Sequence, residues 1–140
     1  MTDEAESTTA FGGDQKGDIL AKMPEADITQ PFYTHYQDLW DRTGAAFWAD
    51  MYAEAGIERK SLELIVVGCL ALRGFKAGLI NHTLLALRYG NTPKEIRGAI
   101  LITLATGGWA SMMPGLAWAD EILVPFERGE LKLEDIYDDM

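Results

Sequence analysis

The pattern of hydrophobic and polar positions predicts a chain of helices and no strands. Apolar residues recur at steps of three and four, the spacing of one helix face. Phe32, Tyr36 and Trp40 begin this pattern in a helix that should end near Gly44. A second short helix should end at Gly56, because glycine readily adopts the left-handed conformation that closes helices.

A pair of buried helices is predicted at the centre of the chain. Residues 61–72 form a nearly continuous apolar run whose length favours a buried helix over a strand. Gly74 allows a turn into a further helix over residues 76–89, so the two should form an antiparallel hairpin. Residues 92–95 then combine a threonine cap, a proline and a glutamate, which starts a helix running to about Gly107.

An uncharged stretch over residues 98–119 is about long enough to cross a bilayer. It contains Gly107-Gly108 and Pro114, which favour two helical pieces that meet at a break inside a protein core. The second piece should span residues 111–126 and stop near Pro125. We therefore expect no membrane span, and burial of this stretch at a subunit interface.

Length and composition fit one domain. The chain has 140 residues, of which 48% are hydrophobic and 24% charged. Residues 1–22 should form a flexible arm, residues 23–127 the helical domain and residues 128–140 an acidic tail. The N-terminus lacks the basic and then apolar segments of a signal peptide, so a cytoplasmic protein is expected.

Charge and composition also exclude several partners. The formal net charge of −10 repels phosphate backbones, so no nucleic-acid partner is expected. The two histidines, His35 and His82, do not have metal-ligand spacing, and the glycine pairs lack the context of a phosphate loop. The sequence thus predicts neither a metal site nor a bound cofactor.

Glu63 and His82 are isolated ionisable residues in the two apolar helices of the predicted hairpin. At a rise of about 1.5 Å per residue, they lie about 16 Å and about 12 Å from the turn, so they could meet. Such a pair can share a proton near neutral pH, as general acid–base catalysis requires. The structural alternative is a solvent-facing glutamate and a buried histidine with satisfied hydrogen bonds, and the two residues alone favour it.

The sequence motif around Glu63 and His82 favours the catalytic interpretation over the structural one. Residues 61–122 resemble the carboxymuconolactone decarboxylase and alkyl hydroperoxidase D superfamily. In the hydroperoxidase branch, a glutamate is followed nineteen residues later by the histidine of a CxxCxxxH motif, then by a helix, a glycine and T-x-x-E-I. The matching residues here are Glu63, His82, Gly90, Thr92, Glu95 and Ile96.

The resemblance implies a compact all-α, multi-helix fold assembled into trimers or hexamers. It also implies a small-molecule substrate, with Glu63 and His82 as the catalytic pair. The implied activity is cofactor-independent decarboxylation or isomerisation of a small carboxylated lactone or a related enolisable compound. A non-catalytic ligand-binding or assembly module on the same fold is the alternative.

The chain departs from the motif at both cysteine positions, which hold Phe75 and Gly78. Thiol peroxidase chemistry is therefore the last of the hypotheses. The single cysteine, Cys69, lies outside the motif in the apolar run and is predicted to be an inert core residue. The decarboxylases also tend to carry glutamate where this chain has Gly78. The resemblance therefore does not identify the substrate.

Gly78 lies one helical turn before His82 and could leave room for a ligand, with Phe75 lining the same face. Because the final helices close the pocket in this superfamily, an apolar wall is expected from Trp109, Met112 and Met113, partly across a subunit contact. The alternative for these residues is a place in the core. A substrate carboxylate could be bound by one of three arginines, among which the sequence does not choose: Arg73, Arg88 and Arg97.

Overall fold

The computed structural model describes residues 30–136, and within that range every regular element is helical. The predicted all-α fold class is confirmed for this part of the protein. The described residues fall into two units, 30–56 and 57–136. The predicted boundaries at residues 22 and 127 stay predictions, and the arm over residues 1–22 lies outside the described residues.

The first unit consists of two helices joined by a wide helical turn. Its elements are α1 (Gln30–Leu39), a π-helical turn (Trp40–Gly44) and α2 (Ala45–Glu54). The predicted helix end near Gly44 is wrong, because the backbone there stays right-handed at φ −70° and ψ −47°. The absence of a side chain at Gly44 instead leaves room for the ring of Trp40, which a Cβ at this position would overlap.

The second unit contains the long helices. Its elements are α3 (Arg59–Arg73), α4 (Lys76–Arg88), α5 (Pro93–Ile102), α6 (Leu104–Gly107), α7 (Trp109–Glu127) and a 3₁₀ turn (Leu133–Asp135). Helix α3 packs against α4, α5 and α7, and both α4 and α5 also pack against α7. The core between them contains the fully buried side chains Leu79, Leu85, Leu87, Ile96, Ile100 and Leu123.

Helices α3 and α4 are joined at Gly74, where the chain takes a φ of 70°. The N–H groups of Gly74 and Phe75 donate to the carbonyls of Ala71 and Leu70, which satisfies the end of α3. Glycine adopts this left-handed conformation without steric strain, so the connection can be this short. The turn therefore lets α4 pack beside α3.

Helix α4 is enclosed on all sides along most of its length. Every residue from position 79 to position 87 is buried. A helix that buries its whole circumference lies in a core, rather than on a surface with one polar face. An ionisable side chain in this segment is thus removed from water and needs a partner inside the protein.

The uncharged stretch over residues 98–119 is interrupted, as predicted. Helix α5 ends at Ile102, α6 adds four residues, and Gly108 separates α6 from α7 with φ 71° and ψ −173°. Pro114 lies inside α7 and does not break it. Among the described residues, no helix has both the length and the apolar character needed to cross a membrane.

The last helix ends within one residue of the predicted Phe126, but Pro125 does not stop it. Helix α7 continues through this proline to Glu127 and is closed by Gly129, at φ 74°. The carbonyl of Pro125 accepts a hydrogen bond from the N–H of Glu130. A proline lacks only the donor, so near the end of a helix it can still take part in the cap through its carbonyl.

Gly115 should be essential for the packing of α7, because a Cβ there would lie 2.9 Å from Cγ2 of Ile100 and 3.0 Å from Cβ of Ala71. We expect Gly115→Ala to lower the free energy of unfolding by about 1 kcal/mol or more through overpacking. Gly98→Ala in α5 is the matched control, since a Cβ there meets nothing within 4 Å. It should raise the free energy by about 0.5–1 kcal/mol. Urea denaturation measures both, and shifts of the same sign would contradict this packing.

Candidate functional site

Glu63 and His82 meet across the contact between α3 and α4. Nδ1 of His82 lies 2.8 Å from Oε2 of Glu63. Glu63 is 0% exposed and His82 is 5% exposed. The site is therefore a buried carboxylate–imidazole pair, held by two helices that diverge from the Gly74 turn.

Arg59 is the second partner of the buried carboxylate. Its Nε donates a hydrogen bond of 2.7 Å to Oε1 of Glu63, one helical turn further along α3. The guanidinium also lies over the ring of Tyr89, with Cζ 4.5 Å from the ring centroid. This stacking holds the arginine by cation–π attraction, so each oxygen of Glu63 has its own nitrogen partner.

The arrangement assigns the proton within the Glu63–His82 pair. A guanidinium is a cation that can only donate, and this matches a carboxylate acceptor at Oε1 of Glu63. An ionised carboxylate only accepts, so the hydrogen bond is donated by Nδ1–H of His82. In the neutral imidazole the lone pair then lies on Nε2. The pair has the chemistry of a carboxylate-oriented histidine base.

Asn91 connects the helix ends on either side of this pair. Its Nδ2 donates to the carbonyl of Lys60, 2.9 Å away in the first turn of α3, and to that of Ala86, 3.1 Å away in α4. These hydrogen bonds fix the start of α3 against the end of α4. These contacts with backbone carbonyls thereby help to fix the position of Glu63 relative to His82.

The predicted ligand space at Gly78 is occupied by protein atoms. A Cβ at Gly78 would lie 2.7 Å from Cδ1 of Phe75 and 3.0 Å from Cδ2 of Leu70. The missing side chain thus accommodates the ring of Phe75, which is itself partly exposed. A role for Phe75 and Gly78 in substrate binding stays a prediction, and it requires the phenylalanine ring to move.

The three residues expected to wall the pocket do not share one face of α7. Met112 is buried with the core positions of the helix, whereas Trp109 and Met113 are 66% and 58% exposed. One chain therefore cannot present Met112 and Met113 to the same space. Trp109 and Met113 are available for a contact outside this chain, and pocket lining stays a prediction for all three.

Cys69 is exposed, so its predicted burial in the core is wrong. It borders an open groove of about 330 Å³ between α3 and the segment formed by α5 and α6. The groove is almost entirely apolar and is lined by Leu64, Ile65, Gly68, Cys69, Leu72, Ala99, Ile102, Thr103 and Thr106. Neither Glu63 nor His82 is among these residues, and neither is any residue predicted to bind the substrate.

The candidate arginines for a substrate carboxylate differ in their surroundings. Arg97 donates hydrogen bonds to Asp120 and Glu127, and the contact lowers the pKa of Glu127 below its ordinary value. Arg97 is therefore already engaged by two carboxylates. Arg73 and Arg88 are exposed at the ends of α3 and α4.

Arg59, which contacts the Glu63–His82 pair, was not among the site residues predicted from the sequence. It lies just before the apolar run, four residues before Glu63, and this is the spacing at which side chains meet on a helix surface. That spacing was the available signal. Within residues 30–136, no three histidine, cysteine or acidic side chains cluster closely enough to hold a metal ion.

The comparison with known families agrees with this helical structure. The model of the carboxymuconolactone decarboxylase family matches residues 37–121, which is more than half of the 140-residue chain. The matched segment runs from α1 into α7 and contains Arg59, Glu63 and His82. No curated protein and no solved structure matched the chain. The family match confirms the resemblance seen in the sequence, and the chain belongs to the carboxymuconolactone decarboxylase family.

Proposed function

We propose that this protein is a cofactor-independent enzyme that moves protons on a small carboxylated lactone or a related enolisable compound. The observation that carries the proposal is the buried hydrogen bond of 2.8 Å between Nδ1 of His82 and Oε2 of Glu63. A carboxylate that orients a histidine is a common arrangement for general acid–base catalysis. The family match supports the same class of activity.

The proposed chemistry uses the two ring nitrogens differently. Nε2 of His82 removes a proton next to a carbonyl, or returns one from its protonated form to the carbanion or enolate that follows loss of carbon dioxide. Glu63 accepts the hydrogen bond from Nδ1 and stabilises the imidazolium while the ring carries the extra proton. Isomerisation and decarboxylation would use the same groups.

A homo-oligomer is part of the proposal, because large apolar side chains stay exposed on the single chain. Ile102 is 70% exposed and Trp109 is 66% exposed, although both lie in the uncharged stretch. Exposed apolar surface of this kind favours association between copies. The resemblance to the superfamily suggests trimers or hexamers, in which Trp109 and Met113 would line a pocket across a subunit contact.

The second candidate function is a non-catalytic ligand-binding module. The observation that favours it is the apolar groove beside Cys69, which is large enough for a small ligand and does not include Glu63 or His82. In that case, the buried pair would serve only to fasten α3 to α4. Thiol peroxidase activity remains the third candidate, since Phe75 and Gly78 stand in place of the cysteines of the redox motif.

A substrate screen tests these candidates. Carboxylated lactones and enolisable keto acids are incubated with the protein in D₂O, and NMR follows carbon dioxide loss and deuterium incorporation next to the carbonyl. We expect turnover by the wild type and almost none by His82→Gln. Deuterium incorporation at the same rate with both proteins would contradict the acid–base proposal.

Hydroperoxides form a separate arm of the same screen. The reduced protein should not consume them, and Cys69→Ser should retain the activity found on the lactones or acids. Peroxide consumption that disappears in Cys69→Ser would support the thiol peroxidase candidate instead.

A further inference from the structure

We propose that Arg59 is a positioning residue for the Glu63–His82 pair: it holds the Glu63 carboxylate in the orientation in which Oε2 accepts the hydrogen bond from Nδ1–H of His82. This inference rests on the proposed acid–base function of the pair. It concerns a residue that the superfamily motif, as matched in this sequence, does not contain.

The first support is the geometry of the carboxylate. Arg59 Nε lies 2.7 Å from Oε1, and His82 Nδ1 lies 2.8 Å from Oε2, so the two oxygens have different nitrogen partners. Rotation of the carboxylate would break both contacts together. The arginine thus fixes the direction from which Glu63 accepts the hydrogen bond of Nδ1–H of His82.

The second support is the burial of the anion. The Glu63 side chain is completely buried, and a buried charge without a compensating partner is strongly disfavoured. Arg59 is 18% exposed, so its charge is close to Glu63 but still partly hydrated. It can supply a permanent positive charge at a lower desolvation cost than a fully buried cation.

The third support is the anchoring of Arg59 itself. Tyr89 lies under the guanidinium at 4.5 Å, and it follows directly after the last residue of α4. Arg59 and Glu63 belong to α3, whereas His82 and Tyr89 belong to α4 or its cap. Tyr89 contacts Arg59, Arg59 contacts Glu63, and Glu63 contacts His82. The first and the last of these contacts therefore connect α3 to α4 or its cap.

The most direct test observes the Nδ1–H proton of His82 in ¹⁵N-edited NMR spectra. The protein has two histidines, so His82→Gln assigns the resonance by its disappearance. Arg59→Met keeps an apolar stem against Tyr89 but removes the N–H group that fixes the Glu63 carboxylate. The freed carboxylate should accept a weaker hydrogen bond from Nδ1–H, and the resonance should therefore move upfield or be lost through exchange with water.

Arg97→Met is the matched control, because Arg97 also binds carboxylates but does so between α5 and α7. It should leave the His82 resonance unchanged. Arg59→Lys can still place an ammonium near Glu63 at the same helical spacing, and it should return the resonance close to its wild-type position. An unchanged resonance in Arg59→Met would overturn the proposal, and if that variant does not fold, the same comparison is made with Arg59→Lys and Arg59→Gln.

Kinetics supply a second readout. Arg59→Met should lower kcat about 10-fold to 100-fold, the scale seen when a group that orients a reacting or ligating side chain is removed, with little change in KM. In a Glu63→Gln background it should cause no further loss, because Arg59 acts through Glu63. Additive losses would show that Arg59 acts elsewhere. If the wild type turns over no compound, the proposed function fails, whereas the NMR comparison still decides the role of Arg59.

Discussion

Replacing His82 by glutamine should lower kcat about 100-fold or more on the substrate that the screen identifies, which is the usual effect of losing a positioned acid or base. Glutamine keeps approximate size and polarity but cannot take up a proton from the substrate or return one to it. Glu63→Gln should cause a loss of the same order, since it removes the charge that orients and stabilises the imidazole. Initial rates at saturating substrate measure both effects.

The double variant and a second histidine provide the controls. Glu63→Gln combined with His82→Gln should be little slower than either single variant, because the two residues act as one unit. His35→Gln changes the other histidine, which lies in α1 beside the ring of Tyr36, and should retain wild-type activity. If the double variant instead lost activity by the product of the two single losses, Glu63 and His82 would not act as one unit.

The second large effect concerns assembly. Light scattering at micromolar concentration should show at least a trimer, because one chain leaves large apolar side chains of α3, α5 and α7 exposed to water. The residues concerned are Ile65, Leu72, Leu101, Ile102, Trp109 and Met113. Ile102→Asp should shift the protein to a monomer of 15.5 kDa, since an aspartate buried in an apolar interface has no partner.

Leu133→Asp is the matched control for this prediction. It introduces the same charge at an exposed leucine of the C-terminal 3₁₀ turn, outside the uncharged stretch. We expect it to keep the assembly of the wild type. A wild-type protein that is monomeric at these concentrations would contradict the proposed subunit contact and the pocket that depends on it.

The helices could be predicted from the sequence because their signals are local. The cap formed by Thr92 and Glu95 is present in the structure with both of its hydrogen bonds. The breaks at Gly74 and Gly108 follow from the conformational preferences of glycine. The last helix also ends close to the predicted Phe126, although the cap at Gly129 closes it and Pro125 does not.

Burial was harder to predict, because an unbroken apolar run does not reveal which side of the helix is covered. Val67 and Ala71 are buried in the core, whereas Ile65 and Cys69 on the same helix face outwards. The sequence is apolar on both sides, which gave Cys69 the appearance of a core residue. The uncovered side of α3 is explained if another copy of the chain covers it.

The site could be predicted in part. The position of Glu63 opposite His82 followed from the length of the two helices and the motif spacing. The contact of Arg59 did not follow, because Arg59 lies before the apolar run that singles out Glu63 and not within it. The packing of Phe75 over Gly78 depends on a side-chain rotamer that no sequence pattern specifies.

Glu63 and His82 are proposed to form a catalytic pair and not merely a buried structural one. The most direct test measures the thermal melt and the specific rate on the same preparation of His82→Gln. We expect a folded protein that melts close to the wild type and has lost about 100-fold or more of its rate. A variant that melts far below the wild type, with an unfolding free energy lower by about 1–3 kcal/mol, but keeps its specific rate when folded would contradict the catalytic assignment and leave the pair a structural role.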